Sequence, residues 1–271
     1  MTWRRRPDCS MPELLEGKRT LVTGVLTDES LAYSVAELAI AEGAQVVLTG
    51  AGRGMSLTRR MGKRLGLDPE ADVYEWDVTQ PEHGKAVAAA LEDRWGGLDA
   101  ALHAIGFAPG SCLGGGFLEA PWEDVAVALH ISTYSLKEVA GALAPLLKAG
   151  GGGSVVGLDF DATVAWPAYD WMGVAKAGLE SCARYLAREL GGQGTRVNLV
   201  AAGPVKTMAA KSIPGFAQFE ERFEALSPLG WDVVADAKAV ARTTVALLSD
   251  WFPKTTGEIV HVDGGFHAVG A

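Results

Sequence analysis

The feature that most constrains this chain is a rhythm. Short runs dominated by β-branched, aromatic or other apolar residues recur at 19–23, 45–49, 73–76, 100–104, 154–158, 196–200 and 258–262. Between them lie stretches with apolar residues at helical spacing, at 31–42, 56–65, 84–94, 123–147 and 169–190. Strands that alternate with helices are joined by crossovers rather than hairpins, so successive strands run parallel. Runs such as Val46-Val47-Leu48 lack polar alternation, as expected where both faces of a sheet are covered. The rhythm therefore predicts an α/β fold, a doubly wound parallel sheet of seven strands with helices on both faces.

Nothing divides this pattern. No repeat or linker interrupts it, and 271 residues suffice for one large core. We expect a single domain over 11–271. Residues 1–10 include Arg4-Arg5-Arg6 but no apolar stretch such as a signal sequence needs, so they are expected to be a disordered extension ahead of Met11. No run of 18 apolar residues occurs, so no membrane span is expected. The net charge of −9 argues against nucleic acid or an anionic membrane as the main partner. Cys9, Cys112 and Cys182 are far apart and odd in number, which suits reduced thiols in a cytoplasmic protein. The five histidines show no metal-ligand spacing, and no metal is expected.

Ligands of open parallel sheets bind beyond the carboxyl ends of the strands, which directs attention to the residues after each run. Gly24 follows the first strand, and Ser30-Leu31 opens a helix whose free N–H groups and dipole suit a pyrophosphate. The G-x-G-x-x-G signature is absent, so Gly24 alone does not separate a phosphate site from a plain turn. The second strand ends in Gly50-Ala51-Gly52-Arg53, without the acid that often binds an NAD ribose. Arg53 would equally suit a 2′-phosphate, so spacing leaves NADH and NADPH open. Asp77-Val78 ends the third strand, where the aspartate either accepts from an adenine amino group or caps its own turn. Ile105-Gly106 follows the fourth, where a glycine lets backbone approach a ribose.

Tyr169 and Lys176 carry the sharpest chemical signal. Seven residues nearly complete two helical turns, so the two side chains lie about 20° apart on one face and about 10 Å apart along the axis. A lysine so placed can hold ribose hydroxyls while the tyrosine reaches along a cleft.

Taken together, Gly24…Ser30-Leu31-Ala32, His103-Ala-Ile-Gly-Phe107, Asp159-Phe160, Tyr169-x6-Lys176 and Ala202-Gly-Pro-Val-x-Thr207 resemble the enoyl-acyl-carrier-protein reductases. These are members of the short-chain dehydrogenase/reductase superfamily, and the particular likeness is to the mycobacterial, isoniazid-target type. It extends from about Leu14 to Gly264. Ketone reductases of that superfamily space the tyrosine and lysine four apart, because hydride lands on the carbonyl carbon itself. In an enoyl thioester hydride goes to the β-carbon and the charged oxygen lies two carbons away, so a donor one turn further along matches.

The resemblance implies a Rossmann-type fold with a small helical substrate lid at about 206–231, NADH as cofactor, and an acyl carrier protein bearing an enoyl chain as partner. It implies pyrophosphate binding at Ser30 and Leu31 beside Gly24, and adenine binding at Asp77 and Val78. Ile105, Gly106 and Lys176 would hold the nicotinamide ribose, Val205 the carboxamide, and Thr207 the phosphates. Tyr169 would bond the thioester carbonyl and Phe160 would wall the acyl group, with Lys176 completing the catalytic set. Phe107, Met208, Ile213 and Phe216 would line the acyl pocket with Tyr169. Superfamily members of this kind form homotetramers. The lid is about ten residues shorter than in the long-chain mycobacterial form, and Ala51 stands where a bulkier residue is common. A reductase or cyclase of specialised metabolism, or a drug-resistant duplicate, would share every motif. A non-catalytic dinucleotide sensor would need no proton donor.

Overall fold

The computed structural model describes residues 13–208, 210 and 214–270. The expected extension at 1–10 and Ile213 lie outside the described residues.

Seven strands form one sheet: β1 (Arg19–Thr23), β2 (Gln45–Gly50), β3 (Val73–Glu75), β4 (Ala100–His103), β5 (Gly153–Asp159), β6 (Thr195–Ala202) and β7 (Ile259–Val262). All neighbours are parallel, in the order β3-β2-β1-β4-β5-β6-β7. The helices are α1 (Leu31–Ala41), α2 (Met55–Arg64), α3 (Pro81–Trp95), α4 (Trp122–Leu129), α5 (Ser135–Ala149), α6 (Asp170–Leu190), α7 (Phe216–Leu226) and α8 (Ala237–Leu248). Among the described residues none is long and apolar enough to cross a membrane.

The pleat splits adjacent apolar residues between two cores. Val22, Leu48, Val156 and Val200 join α1 and α8 on one face, while Leu21, Val47, Val155 and Leu199 join α3, α5 and α6 on the other. This is why the strand runs show no polar alternation. Each fully buried side chain of this kind contributes roughly 1.5–3 kcal/mol, so the sheet is a stiff platform for its loops. At its amino-terminal edge, Arg19 fixes β1 to the residue before β4 through bonds of 2.7 and 3.1 Å to Asp99.

The largest departure from the sequence expectation lies before β5. The single helix expected over 123–147 is two helices, α4 and α5, joined by a wide turn at His130–Tyr134 with π-helical geometry. Hydroxyls at and beside it bond to backbone: Thr133 of the turn donates to Ala175 O at 2.6 Å, and Ser135, the first residue of α5, donates to Ile131 O at 2.6 Å. Such turns recur at functional sites because they re-aim side chains.

Candidate active site

The carboxyl ends of the strands open on a cleft of about 1000 Å³. It runs across the β1–β4 boundary, where the strand order reverses direction. On one side the walls are backbone. Gly24 has φ +79°, and a Cβ there would lie 2.0 Å from the Ala104 carbonyl oxygen, so only glycine lets the two strand exits pass. Ser30 precedes α1, and its Oγ accepts bonds from Thr27 N at 3.0 Å and Leu26 N at 3.4 Å. No side chain caps the start of α1, and Leu31 and Ala32 line the cleft. The helix start is thus available to an anion.

Asp77 makes the turn cap that the sequence offered as one of its two roles. Its Oδ1 caps the local turn, accepting from Thr79 N at 2.9 Å and Thr79 Oγ1 at 2.7 Å. No bond from a described residue occupies its Oδ2, so the side chain can cap and still accept from a ligand. Val78 is buried beside it. Ile105, Gly106 and the half-exposed Phe107 follow β4 along the floor. Their course is set by Ser132 in the wide turn, which accepts from Phe107 N at 2.9 Å and donates to Phe107 O at 2.8 Å. Sequence reasoning missed Ser132; the cluster Ser132-Thr133-Tyr134-Ser135 inside an apolar helical pattern was its only signal. Arg53 is exposed between Gly52 and Gly54, both of which line the cleft.

On the other side the walls are side chains. Tyr169 and Lys176 both line the cleft and are buried. Tyr169 sits at the cap of α6, one residue before the helix begins. Phe160, just after β5, meets Tyr169 edge-on with ring centroids 5.2 Å apart. Lys176 donates to Leu158 O at 3.0 Å, and its Nζ lies 3.7 Å from Asp159 Oδ1. Burial pushes the Lys176 pKa down, against the pull of Asp159. Burial pushes Asp159 the other way, to about 7, with Lys176 opposing. Burial, aided by the Asp159 carboxylate, also raises the Tyr169 pKa, so the hydroxyl keeps its proton and can donate a hydrogen bond. His103 behind this group is held neutral by burial and by Lys176, its pKa falling to about 3. Among the described residues neither Asp159 oxygen has a hydrogen-bond partner, although both are buried. The carboxylate is held there by its ion pair with Lys176 rather than by hydrogen bonds, an arrangement that burial makes costly. Asp159 entered the sequence reading only as part of a motif, and its pairing with Lys176 is visible only in three dimensions.

Val205 is buried after β6, and Thr207 accepts from Ala210 N at 3.1 Å. Met208, half exposed, and Phe216 line the mouth. Behind them an aromatic cluster ties α7 down: Phe219 lies 5.8 Å from Phe160, and Phe223 stacks on Phe266 at 4.0 Å. Trp166, unassigned in the sequence reading, joins the cluster through Phe160 at 5.0 Å and donates to Asp161 O at 2.6 Å. Every sequence-nominated residue that the structure describes, Arg53 apart, thus lines one cleft.

The cleft combines a helix start free to meet phosphates, a glycine-lined floor and a buried tyrosine–lysine pair, which fits a dinucleotide alongside an apolar substrate. Comparison with known proteins agrees. The family described as "Enoyl-(Acyl carrier protein) reductase" matches residues 24–267. An enoyl-[acyl-carrier-protein] reductase [NADH] of Mycolicibacterium smegmatis is 45% identical over 269 residues, covering 94% of this chain and 98% of that protein. The Mycobacterium avium enzyme of the same name is 43% identical with the same coverage. The Aquifex aeolicus enoyl-[acyl-carrier-protein] reductase [NADH] FabI is 40% identical, covering 95% of this chain and 94% of its own length. The chain belongs to the enoyl-acyl-carrier-protein reductase family.

Proposed function

We infer that the chain reduces the trans-2 double bond of enoyl-acyl-carrier-protein thioesters with NADH, the step that saturates a growing fatty acyl chain. The observation that carries this reading is the meeting of Tyr169, Phe160 and Lys176, seven residues after that tyrosine, in a cleft that also holds the free start of α1.

Ser30 and the N–H groups of Leu31 and Ala32 meet the pyrophosphate, beside Gly24. Asp77 and Val78 hold the adenine, Ile105, Gly106 and Lys176 the nicotinamide ribose, and Val205 the carboxamide, with Thr207 at the phosphates. NADH held by these residues would supply the hydride for the substrate β-carbon. The electron pair of the double bond moves through the α-carbon to the thioester oxygen, and the Tyr169 hydroxyl donates a hydrogen bond to the enolate so formed. A proton from solvent then adds at the α-carbon and leaves the saturated thioester. Because Tyr169 is buried and stays protonated, its dipole is in place before charge develops. Phe160 keeps water from the acyl group, and Phe107, Met208 and Phe216 line its path.

The 206–231 segment acts as the substrate lid, and acyl carrier protein docks at the cleft mouth. The protein works in the cytoplasm as a homotetramer. Exposed apolar residues (Val127 of α4, Tyr134 of the wide turn, Val174 and Tyr185 of α6) and the outer edge of β7, which pairs with no other strand among the described residues, support that assembly. Purified protein should oxidise NADH when given a trans-2-enoyl thioester, faster than it oxidises NADPH. No turnover across a panel of enoyl thioesters would overturn the reading. A monomer by light scattering at micromolar concentration would overturn the assembly.

A further inference from the structure

Among the described residues only two that are not glycine have positive φ, Ala168 at 58° and Asp170 at 41°, and they flank Tyr169 on both sides. An aspartate tolerates this left-handed region when its carboxyl bonds nearby, whereas an alanine adopts it only under constraint. Strain of this kind persists where surrounding structure over-determines it. Here the constraint comes from a loop 54 residues earlier in the chain. Gly114 N donates to Ala168 O at 2.9 Å, and Gly115 N donates to Asp170 Oδ2 at 2.6 Å. Trp171 Nε1 donates to Phe117 O at 2.9 Å, and the Phe117 and Trp171 rings stack at 4.8 Å.

The loop is itself anchored. Cys112, fully buried, packs with Val125 and Ala128 of α4, and Trp171 covers the same small core. Gly114 and Gly115 have φ of +90° and +98°, which turns successive N–H groups toward the Tyr169 segment. Leu113, next in line, reaches the cleft wall.

We propose that the 112–117 loop is a clamp that sets the position of the Tyr169 hydroxyl, and that Asp170 is the positioning residue through which it acts. This rests on the reductase reading for its kinetic consequence but not for its geometry. Released from the clamp, Ala168 and Asp170 relax toward ordinary φ values. The peptide planes on either side of Tyr169 then rotate and the hydroxyl leaves its aim, while the dinucleotide side is untouched.

The test compares Asp170→Ala with Asp170→Asn, whose side-chain oxygen accepts the same bond and whose backbone tolerates the same region. Asp170→Ala should lower kcat by about 10- to 100-fold with the NADH dissociation constant unchanged, the scale expected of a misplaced group. Asp170→Asn should restore most of the rate. The decisive arm repeats both variants in a Tyr169→Phe background, where Asp170→Ala should have no further effect because its target hydroxyl is gone. Amide exchange at Gly115, which needs no substrate, should speed up in Asp170→Ala and stay slow in Asp170→Asn. Equal rate losses in both backgrounds would mean a general structural role and overturn the proposal. Faster Gly115 exchange without a change in kcat would show a clamp that does not aim Tyr169, and would also overturn it. A wild-type protein that turned over no enoyl thioester would fail the reductase reading, and unchanged Gly115 exchange in Asp170→Ala would separately fail the clamp.

Discussion

On the β1–β4 side of the cleft the walls are backbone, held by strand exits that pass so closely that Gly24 admits no side chain. On the β5–β7 side they are side chains, held by ring contacts among Phe160, Trp166, Phe219, Phe223 and Phe266 and by a strained segment around Tyr169. The first kind of wall is fixed once the sheet forms. The second needs several distant segments to arrive together. A dinucleotide is a constant ligand that suits a fixed wall, whereas an acyl chain varies in length and suits a wall that can adjust. If this contrast is right, changes on one side should leave the other nearly untouched.

The largest effect is expected from Phe223→Ala. Phe223 is buried, stacks on Phe266, and lies 5.8 Å from Trp166. Truncating such a residue costs about 3–5 kcal/mol, because lost contacts add to an unfilled cavity. Urea unfolding should show that loss, while NADH affinity of the folded protein stays within about threefold on the scale of RT. A parallel collapse of NADH binding would break the contrast.

Next come the two ends of the tyrosine–lysine pair. Tyr169→Phe removes one donor to a developing oxyanion, which typically lowers turnover about 10²- to 10³-fold, and should leave NADH affinity alone. Lys176→Ala removes charge-assisted bonds worth roughly 1.5–3 kcal/mol each, so it should weaken NADH binding more than tenfold. Stopped-flow turnover beside NADH fluorescence titration separates the two. A Tyr169→Phe enzyme with normal kcat and weak NADH binding would reverse the roles.

A smaller effect follows from Asp159, whose pKa stands at about 7 against an ordinary 3.8 because burial outweighs the attraction of Lys176, with Glu180 and Asp161 adding to the rise. The folded chain therefore holds a proton that the unfolded chain releases above about pH 4. The stability this contributes is complete below pH 4 and is lost as pH rises through about 7. Asp159→Asn, which cannot ionise, should flatten that limb in unfolding curves taken at pH 5 and pH 8. An unchanged slope would place the titration elsewhere.

The same contrast explains what the sequence makes legible. Strand runs such as 19–23 read correctly because burial on both faces writes itself as a local apolar run. Gly24, Ser30 and Gly106 read as candidates because each needs only its own turn and a neighbouring strand. The wide turn at His130–Tyr134 does not read, since it depends on Ser132 and Thr133 finding partners at Phe107 and Ala175. Nor does the start of α6: periodicity predicts Tyr169 inside the helix, but the ties from Gly114 and Gly115 hold it just outside. Long-range hydrogen bonds leave no periodic trace.

The smallest effect per change concerns acyl length, and it probes the adjustable wall directly. One cleft of about 1000 Å³ must hold both the dinucleotide and the acyl chain. The residues available to the chain are Phe107, Leu113, Met172, Met208 and Phe216, with Phe219 closing the inner end against Phe160. Each methylene that enters contributes about 0.8 kcal/mol, close to a fourfold gain. The gain stops when a methylene meets rings already packed against one another, because opening the Phe160–Phe219 contact costs what the methylene would contribute. Values of kcat/KM on one carrier should therefore climb from crotonyl to dodecenoyl and then level off. Phe219→Ala should move the plateau to longer chains, since it removes the inner stop while leaving the cofactor walls intact. A steady rise through hexadecenoyl in the unaltered enzyme would show that the aromatic wall yields freely, and that the two sides of the cleft differ in composition but not in stiffness.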